Sequence, residues 1–82
     1  MELTVDVKLG GLSTARKAAE VAGRMSGFRA QVLLRRGNIT VNAKSLMGLL
    51  SLGLGEDVGV TILASGEDEA QAVCTLSRLL GA

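Results

Sequence analysis

Two short β-prone runs, residues 31–36 and 39–43, are separated by only two residues, Gly37 and Asn38. Glycine and asparagine tolerate the positive φ angles that a two-residue hairpin turn requires. A turn this short joins only antiparallel strands, because parallel neighbours need a long crossover connection. The spacing therefore predicts an antiparallel hairpin in the middle of the chain, and every other element has to be arranged around it.

Two other segments alternate apolar and polar residues with the period of two that is typical of a strand with one buried face. The first contains Leu3, Val5, Val7 and Leu9, and the second contains Val60, Ile62 and Ala64. We expect both segments to be strands that turn these side chains towards the core.

Three segments have helical periodicity. Residues 14–25 carry a stripe formed by Ala15, Ala18, Ala22 and Met25, which predicts a helix lying close on the sheet and ending near Gly27 in a left-handed conformation. A short helix of about two turns is expected after Ser45. The last helix is expected to start with a capping box at Ser65 and Asp68 and to bury a stripe formed by Ala70, Val73, Leu76 and Leu80.

The predicted order is strand, helix, strand, strand, helix, strand, helix. Such an order predicts an α/β chain of the α+β type: an open-faced sandwich with a four-stranded, mostly antiparallel sheet and three helices on one face. The length of 82 residues, 48% of them hydrophobic, predicts a single domain over residues 1–82. Phe28 is the only aromatic residue, so the core must be aliphatic.

Charge and residue usage exclude several classes of function. The chain has 9 basic and 8 acidic side chains, and its Arg35–Arg36 pair has no stacking aromatics beside it, so no nucleic-acid role is expected. No apolar stretch is long enough to span a bilayer and no signal-peptide pattern is present, so we expect a cytoplasmic protein.

Histidine is absent from the chain, which removes the usual near-neutral acid or base and the histidine-dependent triads. The single cysteine, Cys74, supports neither an internal disulfide nor a zinc cluster, and it is expected to be a buried filler of the last helix. We therefore expect no enzyme activity, no metal and no cofactor.

Residues 42–53 read Asn-Ala-Lys-Ser-Leu-Met-Gly-Leu-Leu-Ser-Leu-Gly. This segment strongly resembles HPr, the phosphocarrier of the bacterial sugar phosphotransferase system. Residues 64–69 are similar to the start of the last helix of HPr, and the predicted element order agrees over essentially the whole chain. The resemblance implies the HPr-like fold. It also implies a regulatory serine at the start of the short helix, where Ser45 matches.

The other site of that family is a histidine in a Gly-x-His-Ala-Arg-Pro-Ala pattern. Residues 11–18 read Gly-Leu-Ser-Thr-Ala-Arg-Lys-Ala, so Thr14 stands at the histidine position, Lys17 replaces the proline and Arg16 is kept. A threonine hydroxyl is far less nucleophilic than imidazole, so we expect the histidine relay to be lost. Free amides at a helix start beside Thr14, Arg16 and Lys17 suit a phosphate or another anion near Arg16. The alternative is that Thr14 only caps the helix and that both cations are solvated.

Two interpretations also stay open for the short helix. Ser45 is either a helix cap or a regulatory phosphorylation site. Leu46, Met47 and Leu50 cannot all point into the core of so short a helix, and they form either a docking patch or ordinary core packing. In HPr proteins the corresponding face meets enzyme I, the HPr kinase and transcription factors.

The favoured hypothesis is an HPr-like regulatory protein that docks other proteins and is similar to the catabolite-repression HPr-like proteins, which lack the active histidine and keep the serine. The expected partners are an HPr kinase-like kinase, a transcriptional regulator or a phosphotransferase-system enzyme. One alternative is a phosphocarrier component with an atypical acceptor. Another is a structural or assembly protein on the same fold.

Overall fold

The computed structural model describes residues 1–7, 15–52 and 58–81. The elements follow the predicted order: β1 (Glu2–Val7), α1 (Ala15–Met25), β2 (Gln31–Arg36), β3 (Ile39–Asn42), α2 (Leu46–Leu52), β4 (Val58–Ser65) and α3 (Glu69–Leu79). In the ranges described, no helix has the length and hydropathy needed to cross a bilayer.

The four strands form one sheet in the order β1-β4-β2-β3, and all three pairings are antiparallel. The central hairpin is confirmed: Arg36 pairs with Ile39 across a two-residue turn in which Gly37 has a φ of 59°. Strand β3 ends at Asn42, but the Ala43 N–H still donates to the Val32 carbonyl at 2.9 Å. Strand β4, the last in sequence, lies between β1 and β2.

The helices cover one face of this sheet, which confirms the predicted open-faced sandwich. Alternate residues of β2 and β4 point into the core, and the side chains between them are exposed or half-buried on the other face. The strands contribute Val32, Leu34, Val60, Ile62 and Ala64, and the helices and their ends contribute Ala18, Val21, Ala22, Met25, Leu49, Leu52, Ala72, Val73, Leu76 and Leu80. No polar or charged side chain in the described ranges is buried.

Helix α1 differs from its prediction in the position of its buried stripe. Val21 is fully buried between Ala18 and Ala22, whereas Ala15 and Ala19 are exposed. The backbone of α1 approaches those of α2 and α3 more closely than it approaches the sheet. The expected left-handed glycine at position 27 is wrong, because the positive φ angles among the described glycines occur at residues 37, 66 and 81.

Three further expectations about burial are wrong. Leu3 is 39% exposed because β1 is an edge strand that the helices reach only in part, although Val5 packs against the core. Ala70 is exposed, and Ala72 takes the inward position in the stripe of α3. Cys74 is exposed, so it does not fill the core. The expected core position of Leu9 lies outside the described residues.

The predicted capping box at Ser65 and Asp68 does not form. Asp68 is the N-cap residue of α3, yet its side chain makes no cap hydrogen bond. Its carboxylate instead accepts the backbone N–H groups of Arg29 and Ala30, at 2.9 and 2.8 Å. Gly66 lies against the same loop with a φ of 149°, where an added Cβ would stand 2.6 Å from the Ala30 Cα. The start of α3 is thereby fastened to the loop that precedes β2.

These two hydrogen bonds lower the pKa of the Asp68 carboxyl below its usual value of 3.8. Because the folded-state pKa is lowered, the ionised carboxylate stabilises the fold at pH values above the unfolded-state pKa. That stabilisation is lost as the pH falls through the folded-state pKa. We expect Asp68→Asn to unfold at lower denaturant concentration than the wild type at pH 7, and the difference to shrink below pH 4.

Urea unfolding of both proteins at a series of pH values measures this effect. The pKa of Glu69 is also lowered, mainly by its hydrogen bond with the amino terminus, but both proteins share that contribution. Glu67→Gln is the matched control, because the Glu67–Arg29 ion pair is exposed on both sides and contributes little. A wild-type to Asp68→Asn difference that is constant from pH 7 to pH 3 would contradict the expectation.

Candidate functional site

Ser45 is the N-cap residue of the short helix α2. Its carbonyl accepts the Leu49 N–H at 3.0 Å, and its Oγ accepts the Gly48 N–H at 3.2 Å. A serine that satisfies a free amide of the first turn in this way is a standard helix cap. The cap prediction is therefore confirmed, and the side chain of Ser45 is half-buried at the end of the helix.

The turn that precedes Ser45 is fixed by Asn42 and Lys44. The Asn42 Oδ1 accepts the Lys44 N–H at 2.9 Å, while the Asn42 carbonyl accepts the Ser45 N–H at 3.0 Å. The Lys44 Nζ donates to the Phe28 carbonyl at 2.8 Å. Strand β3 therefore delivers Ser45 through a turn that is hydrogen-bonded locally and tied to the loop after α1.

Gly48 allows α2 to lie close against β3. An added Cβ at this position would stand 3.3 Å from the Val41 Cβ and 3.4 Å from the Ser45 Oγ. A larger residue would press on the neighbouring strand and on the serine hydroxyl. Sequence reasoning assigned no role to Gly48, although an isolated glycine inside a helical pattern often signals a close packing contact.

The two faces of α2 differ in exposure. Leu49 and Leu52 are buried in the core, whereas Leu46, Met47 and Leu50 are 38%, 75% and 38% exposed. We call the three exposed residues the α2 patch. Their exposure contradicts the core-packing interpretation of these side chains, and it leaves docking as the prediction to be tested.

Arg36 holds the other end of α2. Its Nη1 donates to the Leu52 carbonyl at 2.9 Å, so a side chain from β2 satisfies an acceptor in the last turn of the helix. From the sequence, Arg36 is considered only as part of the Arg35–Arg36 pair, and no contact with α2 is predicted. No periodicity in the sequence indicates this contact, because it joins residues that are sixteen positions apart in the chain.

The residues aligned with the phosphocarrier site are described only in part. Thr14 lies outside the described residues. Arg16 is exposed in the first turn of α1, and Lys17 is half-buried with its Nζ 3.6 Å from the Glu20 Oε1. The anion expected near Arg16 stays a prediction.

Comparison with known proteins gives a consistent result. The family model described as "PTS HPr component phosphorylation site" matches residues 1–82. The chain belongs to the HPr family. The fold agrees, because the phosphocarrier protein HPr of Bacillus anthracis superposes with a TM-score of 0.90 at 32% identity, covering 98% of this chain and 95% of that one.

Two curated HPr relatives are similar along most of their length. The chain is 41% identical over 69 residues to the HPr-like protein Crh of Bacillus subtilis, which covers 84% of this chain and 81% of the relative. It is 36% identical over 73 residues to the HPr-like protein Crh of Halalkalibacterium halodurans, and this match covers 89% of this chain and 87% of the relative. The chain is therefore an HPr-like protein related to the sugar phosphotransferase system.

The cap geometry predicts the effect of removing the Ser45 hydroxyl. We expect Ser45→Ala to lower the free energy of unfolding by about 1 kcal/mol, because the Gly48 N–H loses its partner. Ser45→Asp should retain most of the stability, since a carboxylate also accepts that N–H and interacts favourably with the helix dipole.

Urea denaturation of the purified variants measures these differences. Ser51→Ala is a matched control in the same helix, because the Ser51 hydroxyl is exposed and donates to the Gly48 carbonyl without capping the helix start. The cap role of Ser45 is refuted if the Ser45 and Ser51 variants lose the same stability.

Proposed function

We propose that this HPr-family chain is a regulatory docking protein and not an enzyme. It is phosphorylated at Ser45, it binds protein partners through the α2 patch, and it does not relay phosphate through histidine. The observation that carries the proposal is the position of the Ser45 hydroxyl at the start of a helix whose outer side chains are apolar and exposed. The proposed modification site and the candidate contact surface thus lie together within residues 45–50.

The absence of histidine supports the loss of relay chemistry. A relay needs a nucleophile that accepts a phosphoryl group and then passes it on at little cost in free energy. Imidazole forms such a labile adduct, whereas a threonine at the aligned position 14 would form a stable phosphate ester. Arg16 is kept from the family pattern, but an arginine alone accepts no phosphoryl group.

The surroundings of Ser45 favour a phosphoserine. In the kinase reaction the Ser45 Oγ attacks the γ-phosphorus of ATP, ADP leaves, and the hydroxyl proton passes to a base of the kinase. The product adds a charge of about −1.5 to −2 where the helix dipole is positive. Among the residues that the structure describes, one hydrogen bond of about 1 kcal/mol, from the Gly48 N–H, holds the hydroxyl in place. We expect the modified protein to keep its fold.

The phosphate would act mainly on docking. Leu46 and Met47 follow Ser45 directly in the chain, so the new charge lies beside the apolar α2 patch. A partner with acidic groups around its apolar pocket would be repelled, and one that presents arginine would be recruited. We propose as partners an HPr kinase-like kinase together with a transcriptional regulator or a phosphotransferase-system enzyme.

The relatives favour regulation over phosphate transport. Both curated relatives are HPr-like proteins named Crh, and the resemblance to catabolite-repression HPr-like proteins includes the serine and the missing histidine. A second candidate is a phosphocarrier with an atypical acceptor. It is favoured by the family model, whose description refers to a phosphorylation site, and by the similarity to a phosphocarrier of known structure.

The two candidates differ in one reaction. We expect the wild-type protein to acquire no acid-labile phosphoryl group from phosphoenolpyruvate and enzyme I, because neither histidine nor an activated substitute is present. Intact-mass analysis before and after mild acid treatment measures this. Thr14→His with Lys17→Pro is the gain-of-function control, since it restores the aligned family pattern beside Arg16. A stoichiometric, acid-labile adduct on the wild type would instead support the phosphocarrier.

The regulatory role is tested with an HPr-type serine kinase and ATP. We expect stable phosphorylation of the wild type and of Ser51→Ala, and none of Ser45→Ala. The residue Ser51 serves as the control because it is exposed on the same helix. Binding of the phosphorylated and unmodified proteins to a purified candidate regulator should then differ by at least about tenfold, which is the size of one or two charge-assisted contacts.

Docking through the α2 patch requires a separate comparison. Leu46→Ser with Leu50→Ser should abolish that binding, whereas Leu3→Ser with Ile39→Ser should not, although these residues are similarly exposed elsewhere on the molecule. If the kinase phosphorylates the wild type and Ser45→Ala to the same extent, Ser45 is not the regulatory site and acts only as a helix cap. If the Leu46/Leu50 variant and the Leu3/Ile39 variant lose the same amount of binding, the α2 patch is not the docking surface.

A further inference from the structure

A groove between α1 and α3 lies outside the site formed by α2. It has a volume of about 300 Å³ and is lined by Lys17, Arg24, Thr75, Arg78 and Leu79. We call it the α1–α3 groove. Residues 17 and 24 are seven positions apart on α1, and residues 75, 78 and 79 are three and four positions apart on α3. Each set therefore shares one face of its helix.

Three cations line the groove, and two of them, Arg24 and Arg78, are not neutralised by a neighbouring acid in the part of the chain that the structure describes. Within the described ranges, the side chains of Arg24 and Arg78 form no hydrogen bond or ion pair with another residue. The only acid of α1, Glu20, is paired with Lys17. The only acid of α3, Glu69, is in the first turn and binds the amino terminus. A chain with a net charge of only +1 thus concentrates three cations at one groove.

These side chains match the chemistry of a phosphate group. A guanidinium presents a planar fork of donors that binds two oxygens of one phosphate, and two arginines on facing helices can share a dianion. The Thr75 hydroxyl adds one donor, and Leu79 adds an apolar wall. A volume of about 300 Å³ is at the lower end of the range for small-molecule sites and exceeds what a bare ion needs.

From this geometry we infer that the α1–α3 groove binds a phosphomonoester carried on a small organic body. The groove shares Lys17 with the anion site expected near Arg16, but Arg16 does not line it, and the two arginines that define the groove, Arg24 and Arg78, belong to no other site among the described residues. It is also independent of Ser45. Two kinds of molecule carry such a phosphomonoester group: a free organic phosphate, and phosphatidic acid through its headgroup.

Titration with glycerol 3-phosphate, followed through the backbone amide signals by NMR, tests the inference. We expect the largest shifts at Arg24, Thr75 and Arg78. Arg24→Gln with Arg78→Gln should weaken binding by at least about tenfold, because the charged hydrogen bonds that both guanidinium groups donate to the phosphate are lost. Arg78→Lys should weaken it less, since the charge remains and the fork is removed.

The matched control is Arg29→Gln with Arg35→Gln, which removes the same two charges outside the groove. Its binding should stay within about twofold of the wild type. Thermal unfolding of both double variants checks that they fold, as expected for substitutions at exposed positions. Equal weakening in the two double variants would show general charge attraction and overturn the inference, as would shifts confined to residues around Arg16.

Sedimentation with phosphatidylcholine vesicles containing phosphatidic acid separates the two sources. Vesicle binding that requires Arg24 and Arg78, without a response to glycerol 3-phosphate, supports the groove and assigns its phosphate to a lipid. A response to glycerol 3-phosphate alone supports a free organic phosphate. The absence of both responses overturns the inference.

Discussion

Helices cover only one face of the four-stranded sheet, so the elements that form the core turn an apolar side inwards and leave the other side to solvent. With a single aromatic residue in the chain, the inward sides must fit together through small and branched aliphatic side chains. Close backbone approach replaces side-chain bulk, as at Gly48 against Val41 and at Gly66 against Ala30. The division of α2 into buried Leu49 and Leu52 and an exposed patch follows from the same constraint.

Most of the fold could be predicted from the sequence, because local signals indicate its elements. The turn at Gly37 and Asn38 determined the hairpin, and alternation identified β4 with its core residues. The burial of a residue could not be predicted from the sequence where it depends on the location of its helix or strand in the assembled molecule. Leu3 has a strand pattern but lies on an edge. Cys74 has a helical position that is one step outside the inward stripe of α3.

The helix start that carries Ser45 was predictable from the sequence, but the contacts that hold the helix were not. Ser45 followed by a leucine-rich run indicated both the cap and the short helix, and the resemblance to HPr extended that to a family. The contacts that hold α2, from Arg36 to the Leu52 carbonyl and from Lys44 to the Phe28 carbonyl, join segments sixteen residues apart. Asp68 shows the same limit, because its carboxylate binds a distant loop and not its own helix.

Strand β4 lies between β1 and β2, and its place in the chain has a consequence for the order in which the sheet forms. Leu63 pairs with both Glu2, near one end of the chain, and Leu33 in the middle. Strand β1 therefore has no partner strand until β4 docks, whereas β2 and β3 can pair locally across their two-residue turn. The sheet closes only when β4 has paired with both β1 and β2, and such long-range closure is slow. The edge of β1 that β4 covers thus stays open to pairing with a foreign strand until that step of sheet assembly.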